Sequence, residues 1–261
     1  MSVRAESRTV YFDSAQYDSS LFQTKKVLEI LALFIFALMR LKIIETQDGS
    51  LSLLDEDLNE AYHSVFGAYT EAMHVYIQHG LHLALQNFNE TLNIIEVSFG
   101  TGLHSFLTLH QAHLQKRKIH ITTVDYNPPT NEILLELAYD KFGNDETKYL
   151  FKALVEAEWN VTTQLSDYFS ITKLKQDVQQ FSSTEKYHLV YYSGFSYQST
   201  PLVWEKQVLE NIYQHMLPNA LLVSHVAKGS FKRTLKEIGF SVEALPGANG
   251  KRECTRAVKV K

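Results

Sequence analysis

Glu96, Gly100, Thr101, Gly102 and Asp125 stand at spacings that suit the binding of a nucleotide-like cofactor. The stretch 93–106, NIIEVSFGTGLHSF, passes from an apolar run through Glu96 into Phe99-Gly100-Thr101-Gly102, after which Leu103, Phe106 and Leu107 return at helical spacing. That pattern is strand, tight turn, helix. The two glycines let the backbone approach a bound group where a Cβ would collide, and the start of the helix offers free N–H donors to an anion. A G-x-G turn alone also serves plain strand-to-helix connections. Here a second apolar run, 119–124, ends on Asp125. An acid at the tip of the second strand of a doubly wound sheet is placed to accept hydrogen bonds from ribose hydroxyls. Turn and acid together favour a cofactor site.

Other candidate chemistry is thinner. An amphipathic helix over about 68–85 would carry Glu71, His74, His79 and His82. Carboxylate partners are sparse there and no H-E-x-x-H pattern occurs, so no metal is expected. His104, His110 and His113 read as surface or packing residues. The single cysteine, Cys254, excludes an internal disulfide and a cysteine zinc cluster, and fits a reducing, cytoplasmic setting. From Lys228 onward nine basic residues stand against three glutamates, a net +6 in a chain of net −4, which leaves −10 elsewhere. Clustered cations can hold phosphates, although such residues equally form a solvated face.

The elements that position these groups follow from periodicity. Apolar runs at 94–97, 119–124, 168–174, 187–192 and 220–226 read as strands, and helical stretches fall at about 131–142, 148–159, 203–216 and 230–238. Two extended runs, 240–245 and 254–260, close the chain. Five β-α repeats ending in two consecutive strands predict an α/β fold, a mainly parallel Rossmann-like sheet with a C-terminal antiparallel strand pair. That ending suits class I S-adenosylmethionine-dependent methyltransferases better than nicotinamide dehydrogenases. Function is then expected at the C-terminal strand ends, where Gly100, Asp125, Asp177 and Ser193 fall.

Three regions are expected. Residues 1–38 form an atypical extension that includes most of the apolar run 27–39, too short at thirteen residues to span a bilayer and better suited to a packed helix. Met39 is a plausible initiator. Residues 39–90 hold a hairpin about Asp48-Gly49 and the helix that follows, and residues 91–261 the methyltransferase domain.

The blocks DGSLSL, EAYHSVFGAYTEAMHV, IIEVSFGTGLHSF and AKGSFKRTLKEIGFSVEALPGANGKRE, with Pro201 and Trp204 after the aromatic strand, carry a family likeness. From about Arg40 to Lys259 the chain resembles the methyltransferases that finish the 5-methylaminomethyl-2-thiouridine wobble modification of tRNA, including the methyltransferase half of the bifunctional enzyme. The resemblance implies that Glu96, Gly100, Thr101 and Gly102 cradle the methionine part of S-adenosyl-L-methionine, that Asp125 takes the ribose hydroxyls, and that Asp177 lies near the adenine. Tyr62, His63, Ser64 and Glu71 would border the cofactor or the base pocket. Lys228, Lys251 and Arg252 would face the phosphates of the anticodon loop.

Three positions depart from the family pattern: Ser98 for glycine, His104 for asparagine, and Ser193-Gly194-Phe195 for aspartate-alanine-phenylalanine. The missing aspartate is the expected partner of the substrate amine. A serine hydroxyl can orient an amine but is a poor base, so Glu71 or the hydroxyls of Tyr191 or Tyr192 would have to reach it. The expected activity is methyl transfer by in-line displacement onto the aminomethyl nitrogen, without metal or covalent enzyme intermediate. The alternative is a catalytically silent relative that binds tRNA or cofactor.

Overall fold

The first element of the computed structural model, which describes residues 40–260, forms around Asp48-Gly49. Strands β1 (Leu41–Glu45) and β2 (Leu51–Asp55) pair antiparallel with Leu41 opposite Asp55, and the short β3 (Glu60–Ala61) adds to β2. The Asp48 carboxylate accepts from the hydroxyls of Thr46 and Ser50, the Ser50 N–H, and the N–H and hydroxyl of Thr70, at 2.5–3.0 Å. Against the opposing effect of burial, these donors hold its carboxyl far below the usual range. One side chain thereby ties the hairpin to the start of the next helix. The expectations for 1–38, the packed helix over 27–39 and an initiator at Met39 lie outside the described residues.

That helix differs in winding from the expected α-helix. After α1 (Ala68–Glu71) it continues as a π-helix over Ala72–Leu81 and returns to α in α2 (His82–Asn87). Ten π residues are unusual, since π turns occur mostly singly and often at functional sites. Widening the turn to i→i+5 brings residues five apart onto one side: Glu71 with Tyr76, and His74 with His79. Val75, Ile77 and Leu81 are fully buried, and a Cβ at Gly80 would lie 2.9 Å from a Val223 methyl, so the helix rests directly on the sheet.

The central sheet follows: β4 (Leu92–Val97), α3 (Leu103–Gln115), β5 (Ile119–Asp125), α4 (Asn131–Glu136), α5 (Leu150–Glu156), β6 (Thr162–Ser166), β7 (Phe169–Lys175), β8 (Tyr187–Tyr192), α6 (Lys206–His215), β9 (Met216–Ser224), α7 (Gly229–Ile238), β10 (Phe240–Pro246) and β11 (Glu253–Lys259). Its order is β10-β11-β9-β8-β4-β5-β7-β6. The five central strands, β9 to β7, are parallel, and β11 and β10 run antiparallel at one edge. The mainly parallel sheet and its terminal antiparallel pair are as expected. A second antiparallel edge, β6 on β7, was not expected. Its residues, TTQLS, alternate without a buried side chain, so no apolar signal marked them.

Strand β8 (YHLVYY) is buried throughout, and its alternation splits the core. Leu189 and Tyr191 face the layer of the π-helix and α3, whereas Val190 and Tyr192 face α6, α7 and Trp204. From Leu41 onward the chain forms one compact unit. Among the described residues no helix is long and apolar enough to cross a membrane.

Candidate active site

The turn after β4 holds three consecutive features in left-handed backbone: Ser98 at φ 72°, Gly100 at 54° and Gly102 at 76°. Glycine adopts this region without strain, but Ser98 does not. Its hydroxyl donates to Asp125 Oδ2 at 3.2 Å, and the Gly100 N–H donates to the same oxygen at 3.0 Å. Asp125, at the end of β5, thus closes the turn directly. Burial pushes its carboxyl up. A Cβ on Gly102 would strike the Phe99 ring at 2.8 Å, and one on Gly100 would meet Tyr62 at 3.4 Å.

A cavity opens beside this turn. Its wall comes from the hairpin region (Tyr62, His63), the π-helix and its entry (Glu71, Tyr76), the turn (Ser98 to Thr101), α3 (His104), the end of β8 (Ser193, Gly194, Phe195) and the end of β9 (His225). Tyr62 packs edge-on against Phe195 with ring centres 4.8 Å apart. His63 Nε2 shares a 2.6 Å hydrogen bond with Thr101 Oγ1, which fastens the N-terminal region onto the glycine turn. His104 stacks on Tyr76 at 3.8 Å, and the Tyr76 hydroxyl bonds His225 Nδ1 at 3.0 Å.

The electrostatics of this cavity are unusual. Burial pushes the imidazole of His63 down to about 3 and those of His104 and His225 to about 4, so all three are neutral at pH 7. Glu71, 4% exposed, carries the charge. Burial opposes that charge, but His225 and an ion pair with Lys251 hold its carboxyl below the ordinary range. The site is one ion-paired carboxylate among three uncharged nitrogen bases.

Glu96 lies underneath rather than on the cavity. Its Oε2 accepts from the Ser105 hydroxyl at 2.7 Å, and its Oε1 makes no hydrogen bond and lies 3.5 Å from His104 Nδ1. Fully buried, its carboxyl is pushed up to about 8. Asp177 follows β7, where it caps a short 3-10 turn by accepting from the Gln179 N–H at 2.8 Å, and it does not line the cavity. Ser64 stands beyond His63 and accepts from the Phe66 N–H at 3.3 Å.

Several expected residues point elsewhere. Tyr192 faces the opposite layer, where its hydroxyl donates to the Val203 carbonyl and its ring packs on Trp204 and Phe231. Period-two alternation puts it there, and Tyr191 is the residue of that pair on the cavity side, its hydroxyl engaged with Thr108 at 3.0 Å. Lys251 turns inward to Glu71 and not outward to solvent anions. The basic C-terminal segment is in good part paired: Lys232 with Glu253 at 2.6 Å, Arg256 with Glu243 at 2.6 Å. Arg252 is 95% exposed, and Lys228 lies over the Tyr197 ring at 4.8 Å. His104, read from sequence as a surface or packing residue, is buried and joins the wall with His225, Tyr76 and Phe195. The position of His225 just past a parallel strand's C-terminal end was the available signal for it.

Turn and cavity supply a donor set that fits S-adenosyl-L-methionine. Gly100 and Gly102 hold left-handed backbone against Tyr62 and Phe99, where an added Cβ would crowd the ring, Asp125 sets a carboxylate on the turn at the end of β5, and Glu96 keeps an oxygen without a hydrogen bond beneath. Residues 145–260 match the S-adenosyl-L-methionine-dependent methyltransferase family. The fold and the site define a class I S-adenosyl-L-methionine-dependent methyltransferase. The crystal structure of MNMC2 from Aquifex aeolicus superposes with a TM-score of 0.68 at 20% identity, covering 93% of this chain and 82% of that one. The tRNA 5-methylaminomethyl-2-thiouridine biosynthesis bifunctional protein MnmC of Cupriavidus necator is 27% identical over 76% of this chain and 32% of its own length. An uncharacterized protein of Methanocaldococcus jannaschii is 25% identical over 83% of this chain and 59% of its own. The chain is similar to the methyltransferase part of the MnmC proteins, and it spans about a third of those bifunctional relatives' length.

Proposed function

We propose that this methyltransferase acts in the cytoplasm on the aminomethyl nitrogen of 5-aminomethyl-2-thiouridine at the wobble position of tRNA, giving the methylaminomethyl product. The observation that carries the reading is the cavity itself: Glu71 and three neutral imidazoles converge beside the glycine turn. Such a wall accepts hydrogen bonds from an amine. When bound, S-adenosyl-L-methionine supplies a methyl group on a sulfonium, an electrophile that needs a neutral nitrogen lone pair. Gly100, Thr101 and Gly102 hold it on the turn, Glu96 acts from below and Asp125 takes the ribose, while Asp177 stands outside the cavity.

Glu71 then orients the amine N–H groups and stabilises the positive charge that grows on nitrogen as the bond forms. Lys251, fixed against Glu71, opposes protonation of the incoming amine and so raises the fraction with a free lone pair. Tyr62, His63 and Ser64 border the base. Lys228 and Arg252, exposed on the same C-terminal segment, contact anticodon-loop phosphates, and these contacts weaken with salt. The names of the MnmC relatives support the substrate. Nucleoside mass spectrometry on tRNA bearing 5-aminomethyl-2-thiouridine, incubated with protein and S-adenosyl-L-methionine, tests the reading. The methylaminomethyl nucleoside is the expected product. Its absence, with cofactor binding demonstrated, would refute it.

A second reading, a silent relative that binds without transferring methyl, is favoured by one contact: the Ser193 hydroxyl donates to the Val97 carbonyl at 2.9 Å. The two readings separate at this residue. If Glu71 serves the amine, Ser193→Ala keeps turnover within about tenfold, because no proton moves through this hydroxyl. If the site is silent, wild type gives no product and Ser193→Asp restores it.

A further inference from the structure

The wide turn of the π-helix has a second consequence on the side away from the cofactor turn. In an α-helix residues five apart diverge by about 140°. Here the i→i+5 winding returns His79 to the side of His74, and their rings meet edge-on with centres 4.5 Å apart. Cys254, at the start of β11, completes a cluster in which one donor atom from each residue lies within 4.8 Å of the others. His79 Nε2 is buried and makes no hydrogen bond. A buried ring nitrogen without a partner is costly and calls for a ligand. His74 Nε2 bonds the Pro246 carbonyl at 2.7 Å, the kind of backbone contact that fixes the ring of a metal-bound histidine, and Cys254 Sγ reaches the same carbonyl at 3.4 Å.

We infer that His74, His79 and Cys254 form a site for a zinc-class divalent ion that clips the π-helix to the β10–β11 hairpin. Two imidazoles and one thiolate are a borderline-soft set, and three protein ligands leave a fourth position to water. Tetrahedral bonds of 2.0–2.3 Å place ligand atoms about 3.5 Å apart, so the cluster closes by about 1 Å through side-chain rotation. The Cys254 thiol, raised by burial, gives up its proton to solvent as the metal–sulfur bond forms, while the two imidazoles bind neutral. The clipped hairpin carries Lys251, so occupancy also steadies the Lys251–Glu71 pair. The three ligands themselves take no part in the reaction proposed above.

The test is cobalt titration of untagged, chelator-treated protein, read by absorbance and by metal analysis of the desalted sample. We expect one Co2+ per chain with an intense thiolate-to-cobalt charge-transfer band, displacement by Zn2+, and a melting temperature several degrees higher with metal. Cys254→Ser loses the band, and His79→Asn weakens binding at least tenfold while leaving the metal-free melting temperature near wild type. A wild-type protein that shows no such band, or cobalt binding unchanged in His79→Asn, overturns the site.

Discussion

Replacing Glu71 by glutamine is expected to slow methyl transfer by about 10²–10³-fold while leaving S-adenosyl-L-methionine affinity within a few-fold of wild type. The magnitude is that of removing one preorganised electrostatic partner from a water-poor site. Glutamine keeps the shape and can still accept one hydrogen bond from the amine, but it carries no charge to offset the one developing on nitrogen. Cofactor affinity is spared because Glu71 enters the cavity from the helix wall, whereas the Asp125 carboxylate is bonded to the glycine turn. Single-turnover rates with saturating tRNA, beside a cofactor titration, separate the two quantities. A variant that turns over at the wild-type rate would remove Glu71 from the chemistry.

Lys251 makes that experiment interpretable. Its side chain is about a third exposed, so in Glu71→Gln it can reach water and need not remain a buried, unpaired charge. The fold should therefore survive, and a circular dichroism melt close to wild type is the control. Lys251→Met does the converse, leaving the Glu71 carboxylate in a buried place without its cation. The effect of the pair cannot be inferred by adding the two single effects, because residues in one ion pair couple.

Much of this architecture was legible before any coordinates. Glycine spacing, the acid after the second strand and the terminal strand pair each have a local cause, so they show in local sequence. The cavity wall does not. His225 and Glu71 are 154 positions apart in the chain, and only the parallel order of β9, β8 and β4 with the π-helix above them brings both to one wall. The π winding was invisible for a related reason. The buried Ala72, Val75, Tyr76, Gly80 and Leu81 also fit an ordinary helical period, so the stretch read as an amphipathic α-helix, and the close approach of Gly80 to Val223 belongs to tertiary packing. Tyr192 was misplaced because an unbroken aromatic strand gives no phase by itself; which of Tyr191 and Tyr192 faces the cavity depends on what covers each face.

Glu96→Gln is expected to stabilise the cofactor-free protein, and the gain should grow with pH. A carboxyl raised from 4.5 to about 8 by burial holds its proton in the folded state through a range where the unfolded chain has lost it. The folded state then binds more protons than the unfolded one between those values, so stability falls as pH rises from 4.5 towards 8. The penalty is under about 1 kcal/mol at pH 5 and on the order of 3 kcal/mol at pH 7, at roughly 1.4 kcal/mol per pH unit. Glutamine has no such proton to lose, and it can still accept from Ser105 while its amide faces His104 Nδ1. For a unit of this size the gain at pH 7 corresponds to a melting temperature roughly 6–12 °C above wild type, shrinking to a few degrees at pH 5. Thermal melts at the two pH values, without cofactor, measure it. A gain equal at both would mean that Glu96 is ionised in the fold. Retaining a carboxylate at such a cost makes sense if the bound cofactor needs it, so the same variant should bind S-adenosyl-L-methionine more weakly while melting later.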